Sequence, residues 1–225
     1  TIANRLGITA AAAAMRIDEA RATLFCARER RVRPGRDDKI LTAWNALLAS
    51  GLARAARALD TPEYARHARA ILDFARDKLW HDSRLYACFA GGEAQFPAYL
   101  DDHAFLLDAL IEQLQTDWLS ADLDWATTLA ETLLARFEDA EHGGFHFTAH
   151  DHESLPFRPK PWTDDSLPSG NGIAARALLR LGHLVGETRW IDAAERTLRA
   201  AGSRLVEAPQ AAMALVRALD ALLRP

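Results

Sequence analysis

Three pairs of adjacent aspartates recur along the chain at almost equal spacing, and this repeat restricts the possible folds more than any other feature. The first members of Asp37-Asp38, Asp101-Asp102 and Asp164-Asp165 lie 64 and 63 residues apart. Apolar residues follow each pair at the spacing of an α-helix. A long repeat built of helices is typical of stacked helical units.

Each repeat contains two predicted helices of different character. The first is apolar or small around most of its circumference, as in residues 39–59, which suits burial on both sides. The second, as in residues 62–80, has one apolar stripe and a charged opposite face. Flanking helices are predicted over about 13–31 and 210–223, where Pro34-Gly35 ends the first.

Alternating buried and half-exposed helices predict an all-α fold with two concentric layers, which is a partial α/α toroid. An ordinary α-solenoid of hairpins fits the period equally well. The long loops, all at one end of the units, favour the toroid. We expect a single toroid-like domain over residues 1–225, cut from a longer protein because the chain starts at Thr1. Three units cannot close a ring, and the exposed apolar edges of an open arc would favour a homodimer.

Composition excludes several classes of partner. The chain has 27 basic and 31 acidic residues and no basic block, which argues against nucleic acid or an anionic membrane. No apolar run is long enough to span a bilayer, and the first residues lack the pattern of a signal peptide. Cys26 and Cys88 show no metal-ligand spacing, so we expect free thiols in the cytoplasm.

A single aspartate before a helix has an ordinary explanation, but a pair does not. One carboxylate can cap the helix by accepting a hydrogen bond from a free backbone N–H, which contributes about 1 kcal/mol. A second carboxylate adds little as a cap and introduces repulsion. It is therefore solvated, paired with a cation, or available to a ligand. If all three helices start at the same rim of a toroid, the three pairs converge there.

The loop over residues 138–171 is the second candidate region. Residues 145–148 predict a short strand in a small hairpin, with a counterpart over residues 82–102. Arg158 and Lys160 lie two residues apart, so in an extended chain they project the same way. They would contact an anionic or hydroxyl-rich ligand, or else neutralise the aspartate pairs. The four histidines of this loop lack any standard zinc spacing, so we predict no metal site and no cofactor.

Aromatic residues beside the aspartates indicate a sugar site, since carbohydrate sites combine flat rings with carboxylates and amides. Core packing is the alternative for the same rings, which are Trp44, Tyr99, Phe105 and Trp162. For glycoside hydrolysis the expected carboxylate pair is Asp102 with Asp38 or Asp165. For a sugar epimerase His103 is the natural acid/base group, because its ordinary pKa lies near neutrality.

Four segments resemble a known family. Residues 37–48 ("DDKILTAWNALL"), 98–115, 143–160 and 164–181 are similar to the C-terminal region of the YyaL-like, thioredoxin-domain-containing proteins, which include spermatogenesis-associated members in animals. Ala46 and His103 depart from the residues usual in that family, Gly and Tyr. The resemblance implies a six-hairpin glycosidase-like toroid, similar to N-acylglucosamine 2-epimerases, with a covalently linked thioredoxin-like domain upstream.

Two functional hypotheses follow. The chain is a carbohydrate-processing domain, glycosidase- or epimerase-like, that acts on a small-molecule ligand, or it is a non-catalytic helical module for binding a ligand or a partner domain. The candidate catalytic residues are Asp102, Asp38 and His103. The candidate substrate-binding residues are Asp37, Trp44, Asn45, Tyr99, Asp101, Arg158, Lys160, Asp164, Asp165, Ser169 and Asn171.

Overall fold

The computed structural model of the protein describes residues 2–224, which divide into two compact units, 2–38 and 39–224. The first unit contains helices α1 (Ile2–Arg5) and α2 (Ala10–Glu29). Thr9 caps α2, since its Oγ1 accepts a hydrogen bond of 3.1 Å from the Ala12 N–H. No side chain of α2 is buried. The assignment of this unit to the same domain as the rest stays a prediction.

The second unit holds the three predicted helix pairs, and they confirm the all-α fold. The pairs are α3 (Thr42–Ala58) with α4 (Pro62–Leu79), α5 (Leu100–Leu114) with α6 (Ser120–Arg136), and α7 (Gly170–Val185) with α8 (Thr188–Ala200). A short helix α9 (Gly202–Glu207) and a 3-10 turn (Pro209–Ala211) lead to the closing helix α10 (Met213–Leu223).

Two layers form as the burial pattern predicts. Helices α3, α5, α7 and α10 pack side by side in that order, and α4, α6 and α8 each pack on the helix that precedes them. In α5 every residue except Asp101 is buried, because neighbours cover it on both sides. The inner layer is therefore the core, and the N-termini of its helices form what we call the helix rim: residues 42–43, 99–102, 169–172 and 213–214.

A small antiparallel sheet lies among the loops. Strands β1 (Ile40–Leu41), β2 (Trp80–His81) and β4 (Glu93–Pro97) all pair with the central strand β3 (Arg84–Ala90). The hairpin expected over residues 82–102 is thus confirmed as β3 and β4.

The prediction of a strand over residues 145–148 is wrong. Only a single bridge joins Glu138 and Phe145 in this segment. The Phe147 N–H donates instead to the carbonyl of Pro159, at 2.8 Å. The prolines that follow offer no N–H groups with which a ladder could continue.

The aspartate pairs do not hold equivalent positions, contrary to the expectation that each opens a helix. Asp38 precedes the start of α3 by four residues, Asp101 and Asp102 lie within the first turn of α5, and Asp165 precedes α7 by five residues. The equal spacing of the pairs therefore does not reflect equal spacing of helix starts. None of the helices within residues 2–224 is both long and apolar enough to cross a bilayer.

Candidate functional site

Asp102 joins the N-termini of two inner helices. Its Oδ2 accepts a hydrogen bond of 2.9 Å from the Tyr99 N–H, which caps its own helix α5. Its Oδ1 accepts a second bond of 2.9 Å from the Ala43 N–H in the first turn of α3. The side chain is buried, and burial raises the pKa of Asp102 to about 7, an effect that the two backbone N–H donors oppose.

Asp164 makes the same arrangement at the other end of the helix rim. Its Oδ1 accepts a bond of 2.8 Å from the N–H of Ser169, the residue that caps α7, and its Oδ2 accepts one of 2.9 Å from the Ala214 N–H in the first turn of α10. One carboxylate thus serves two helix ends in both places, where unsatisfied N–H groups and the helix dipole favour negative charge.

Asp101 is the one rim aspartate with an unused oxygen. Its Oδ1 is buried and has no hydrogen-bond partner within residues 2–224, and it lies against Gly170 at the start of α7. Burial raises the pKa of Asp101 to about 6. Asp101 therefore exchanges its proton near neutral pH, which is the property of a general acid.

His103 lies beneath the rim and away from solvent. Only 4% of its surface is exposed, its Nδ1 is 2.9 Å from the Tyr99 carbonyl oxygen, and its ring packs on Phe137 at 4.9 Å between centroids. Burial and the nearby charge of Arg136 lower the pKa of His103 to about 4, so the ring is neutral at physiological pH. These contacts support the packing, and the acid/base role stays a prediction.

The other two aspartate pairs contribute less than the spacing suggests. Asp37 and Asp38 are exposed and belong to the first unit, where Asp38 forms an ion pair with Arg36. The side chain of Asp165 is exposed and makes no hydrogen bond or ion pair within the described chain. The structure therefore brings together Asp101, Asp102 and Asp164 at the rim, and the catalytic pairing of Asp102 with Asp38 or Asp165 stays a prediction.

Within the described residues, neither of the two loop cations, Arg158 and Lys160, forms an ion pair with a rim aspartate. Arg158 donates to the Thr148 carbonyl at 2.6 Å. Lys160 contacts Asp139 at 2.8 Å and the Gly143 carbonyl at 3.0 Å. That ammonium holds the pKa of Asp139 well below its usual range. The expectation that these cations pair with the aspartate doublets is wrong, because the loop uses them to fix its own fold.

Two polar residues at the start of α7 also fix this loop. Asn171 is fully buried, accepts from the Phe145 N–H at 2.7 Å and donates to the carbonyls of Phe145 and Pro161. Ser169 caps α7 and donates to the Pro161 carbonyl at 3.0 Å. Both side chains are saturated by the protein, and their assignment to a ligand stays a prediction.

The predicted sugar-binding aromatics separate into different environments. Trp44 is 61% exposed, which contradicts the core-packing alternative for this ring, whereas Phe105 is fully buried. Tyr99 stacks on Phe147 at 4.9 Å, and Trp162 lies over Gly144 and beside Lys160. Asn45 donates to the Leu41 carbonyl at 2.9 Å and lines a mainly apolar groove of 760 Å³ between α3 and α4.

A second groove, of 310 Å³, runs between the four inner helices, and the sequence reasoning missed it. We call it the central groove. It begins at the rim, where Asp164 and Pro168 line it, and continues over the middle of α3, α5, α7 and α10. Its polar lining residues are Ser50, Arg54, Asp108, Asp164, Arg176 and Arg217.

A network of charged groups lies beneath the central groove. Asp108 accepts from Ser50 at 2.8 Å and forms ion pairs with Arg176, with Arg54 at 3.4 Å and with Arg180 at 3.4 Å. Glu112, one turn further along α5, pairs with Arg57, with Arg54 at 2.9 Å and with Arg180 at 2.6 Å. These guanidinium groups lower the pKa of Glu112.

The sequence did contain a signal for this network. Asp108 and Glu112 are four residues apart on the most buried helix, and Arg176 and Arg180 repeat that spacing on α7. Charges at one-turn intervals on helices that are otherwise apolar indicate a shared buried face. Within residues 2–224 no cluster of His, Cys, Asp and Glu side chains has the arrangement to hold a metal ion.

The fold is that of the α/α-toroid carbohydrate-processing enzymes. An α-mannanase of Bacteroides thetaiotaomicron superposes with a TM-score of 0.67 at 13% identity, over 85% of this chain and 54% of its own. A cellobiose 2-epimerase of Bacillus thermoamylovorans gives 0.67 at 12% identity, over 85% and 58%. An inactive variant of a Salegentibacter α-1,6-mannanase, with two adjacent aspartates replaced by asparagine and α-1,6-mannotriose bound, gives 0.58 at 14%, over 72% and 47%.

The chain is a homologue of spermatogenesis-associated protein 20. It is 31% identical to the human protein over 235 residues and 32% identical to the rat protein over 240 residues. These matches cover 97% and 98% of this chain but only 29% and 30% of the relatives, so the chain spans about a third of their length. No profile of a known protein family matches it.

Proposed function

We propose that the chain forms part of a carbohydrate-processing domain, glycosidase- or epimerase-like, whose ligand lies in the central groove and against the adjacent helix rim. The observation that carries this proposal is a groove of 310 Å³, lined in part by charged side chains, that opens beside Asp164 on a fold whose solved neighbours process carbohydrates. Hydroxyl groups of a sugar would bond to Ser50, to the free edges of the arginines and to Asp108.

Asp101 is the carboxyl group that we assign to the chemistry. Its unpartnered oxygen and its raised pKa suit a general acid, whereas Asp102 and Asp164 have both oxygens occupied by helix N-termini. In the Salegentibacter mannanase, replacing two adjacent aspartates gives an inactive variant. That precedent supports an essential role for the Asp101-Asp102 pair, with Asp102 as the residue that positions Asp101.

The experiment is to compare the parent chain with Asp101→Asn and with Asp165→Asn as the matched control. Asp165 is also an aspartate of a doublet, but its side chain is exposed and makes no hydrogen bond or ion pair in the described chain. Sugar binding is measured by calorimetry against a panel of neutral and acidic mono- and disaccharides, and turnover of any sugar that binds is followed by chromatography. We expect binding in all three proteins and turnover in the parent and the control only. An Asp101→Asn variant as active as the parent would contradict the assignment of Asp101.

A non-catalytic ligand-binding module, acting with a thioredoxin-like domain, is the second candidate. It is favoured by the use of Asp102 and Asp164 as helix caps and of Asp108 in ion pairs, because none of these carboxylates is then available as a base. Sugar binding without turnover by the parent chain would support this function over the first. Absence of binding to any sugar would contradict the first function and favour the second, as a module for another ligand or for a partner domain.

A further inference from the structure

The central groove carries more positive than negative charge. Asp108 and Glu112 are the carboxylates of the network, and they are shared by four guanidinium groups, those of Arg54, Arg57, Arg176 and Arg180. Arg217 of α10 lines the groove together with Arg54 and Arg176, and it makes no hydrogen bond or ion pair within residues 2–224. Asp164, the remaining acidic group of the lining, is occupied by the two backbone N–H groups described above.

The cations also retain unused donors. Arg176 is only 8% exposed, and its Nε has no hydrogen-bond partner within the described residues, because its ion pair with Asp108 runs through Nη2. The Nε of Arg54 is buried and unpartnered in the same way. A buried donor without a partner destabilises the protein, and it does so more strongly when it is charged.

The positive charges of the neighbouring arginines destabilise the charged form of Arg176. Burial lowers the pKa of Arg176, and the charges of Arg54, Arg180 and Arg217 lower it further, while Asp108 raises it. An additional anion in the groove would relieve both the repulsion and the unpaired donors. Guanidinium groups bind carboxylate and phosphate oxygens in pairs of parallel hydrogen bonds, which makes oxyanions their preferred ligands.

We infer that the central groove binds an acidic sugar, whose carboxylate or phosphate group is held by Arg54, Arg176 and Arg217. This inference rests on the proposed function for the sugar part of the ligand, and on the charge of the groove for the anionic part. The Asp108 carboxylate and the Ser50 hydroxyl, which already donates to Asp108, lie in the same lining and would accept hydrogen bonds from neighbouring hydroxyl groups. A sugar acid and a sugar phosphate share this chemistry, and the experiment separates them.

The test is calorimetric titration of the 225-residue chain at constant ionic strength with glucose, glucuronate, glucose 6-phosphate and inorganic phosphate. We expect one of the two acidic sugars to bind at least tenfold more tightly than glucose. The variant Arg217→Gln should lose about tenfold in affinity for that sugar and nothing for glucose. Because Arg217 is exposed and has no partner to leave behind, this variant should fold as the parent does.

Arg66→Gln is the matched control. Arg66 is also an exposed helical arginine without a hydrogen bond or ion pair in the described part of the chain, but it lies on α4 and outside the groove. We expect the affinities of this variant to equal those of the parent. A loss equal to that of Arg217→Gln would show that only the net charge of the protein matters, and would overturn the inference.

The outcomes also separate this inference from the proposed function. If glucose binds as tightly as both acidic sugars, the anion site is wrong and the carbohydrate function stands. If inorganic phosphate binds, Arg217→Gln abolishes that binding, and no sugar binds more tightly, the anion site stands and the carbohydrate function is wrong. If none of the four probes binds, both are wrong.

Discussion

The helix rim and the central groove neutralise buried carboxylates by different means. At the rim, Asp102 and Asp164 each accept hydrogen bonds from backbone N–H groups of two helices, and no cation among the described residues forms an ion pair with them. In the groove, Asp108 and Glu112 contact four arginines. Backbone dipoles neutralise a charge without adding another, whereas guanidinium groups bring charge of their own.

This difference separates the scaffold at the rim from the proposed binding surface in the groove. A carboxylate between two helix ends has each oxygen bonded to a backbone N–H, so it fixes the relative position of α3 and α5, or of α7 and α10. The groove, in contrast, has more donors than acceptors and a volume in which a ligand fits. Of the aspartate doublets, only Asp102 and Asp164 join helix ends at the rim, and the surplus charge lies on the helices behind it.

The largest expected effect is in the groove. Replacing Asp108 by Asn should lower the free energy of unfolding by about 4 kcal/mol, because Arg176 would remain buried without its counter-charge. Urea denaturation measures the loss. The matched control is Asp73→Asn on the outer helix α4, an exposed aspartate without a hydrogen bond or ion pair in the described chain, which should change stability by less than about 0.5 kcal/mol. Equal effects of both substitutions would show that the groove network contributes nothing.

At the rim, Asp102→Asn should lower the free energy of unfolding by about 3 kcal/mol. An asparagine offers one acceptor oxygen, and its NH₂ group would face a backbone N–H that then has no partner. Asp164→Asn has the same geometry and should lose a similar amount, although that residue is less buried. The same denaturation experiment measures both, with Asp165→Asn as the unchanged control. If only one rim variant is destabilised, the two double caps are not equivalent.

The pH dependence of stability tests Asp101. Its pKa is about 6 in the folded protein against an ordinary 3.8, so the folded chain binds more protons than the unfolded chain between these values. The stabilisation that this extra proton binding gives to the folded state is therefore fully present below pH 3.8 and is lost as the pH rises through about 6. An ion-paired carboxylate shows the reverse dependence. Relative to Asp101→Asn, the parent should lose about 2 kcal/mol between pH 4 and pH 7. A constant difference between the two proteins would contradict burial of this carboxyl group.

The smallest expected effect concerns the contact of Asp101 with α7. A Cβ on Gly170 would collide with the Asp101 carboxylate and lie 3.1 Å from Leu100. Gly170→Ala should therefore lower the free energy of unfolding by about 1 kcal/mol, after the gain in helix propensity is included. In an Asp101→Ala background the cost should fall, which a double-mutant cycle measures. Gly51→Ala, in the middle of α3 with open space around the new methyl, should instead stabilise the protein by up to about 1 kcal/mol.

The sequence by itself determined the helix pairs and their layers. Helix formation and burial depend on residues three and four positions apart, so the periodicity of residues 39–59 and 62–80 predicted both helices closely and the all-α fold with them. The four segments within residues 37–181 also indicated the resemblance to the spermatogenesis-associated proteins, which the 31% identity to the human protein confirms. Secondary structure of the loop over residues 138–171 was predicted less well, because its partners lie outside any local window.

Only the tertiary structure decided what each charged residue does. Asp102 meets the Ala43 N–H across 59 residues of sequence, and Asp164 meets the Ala214 N–H across 50. Asp108 meets Arg176 across 68. A doublet looks the same in sequence whether it spans two helix ends, as Asp102 does, or stays in solvent, as Asp165 does. Hydrogen-bond partners are selected by the packing of whole helices, and that packing is the information that a local pattern lacks.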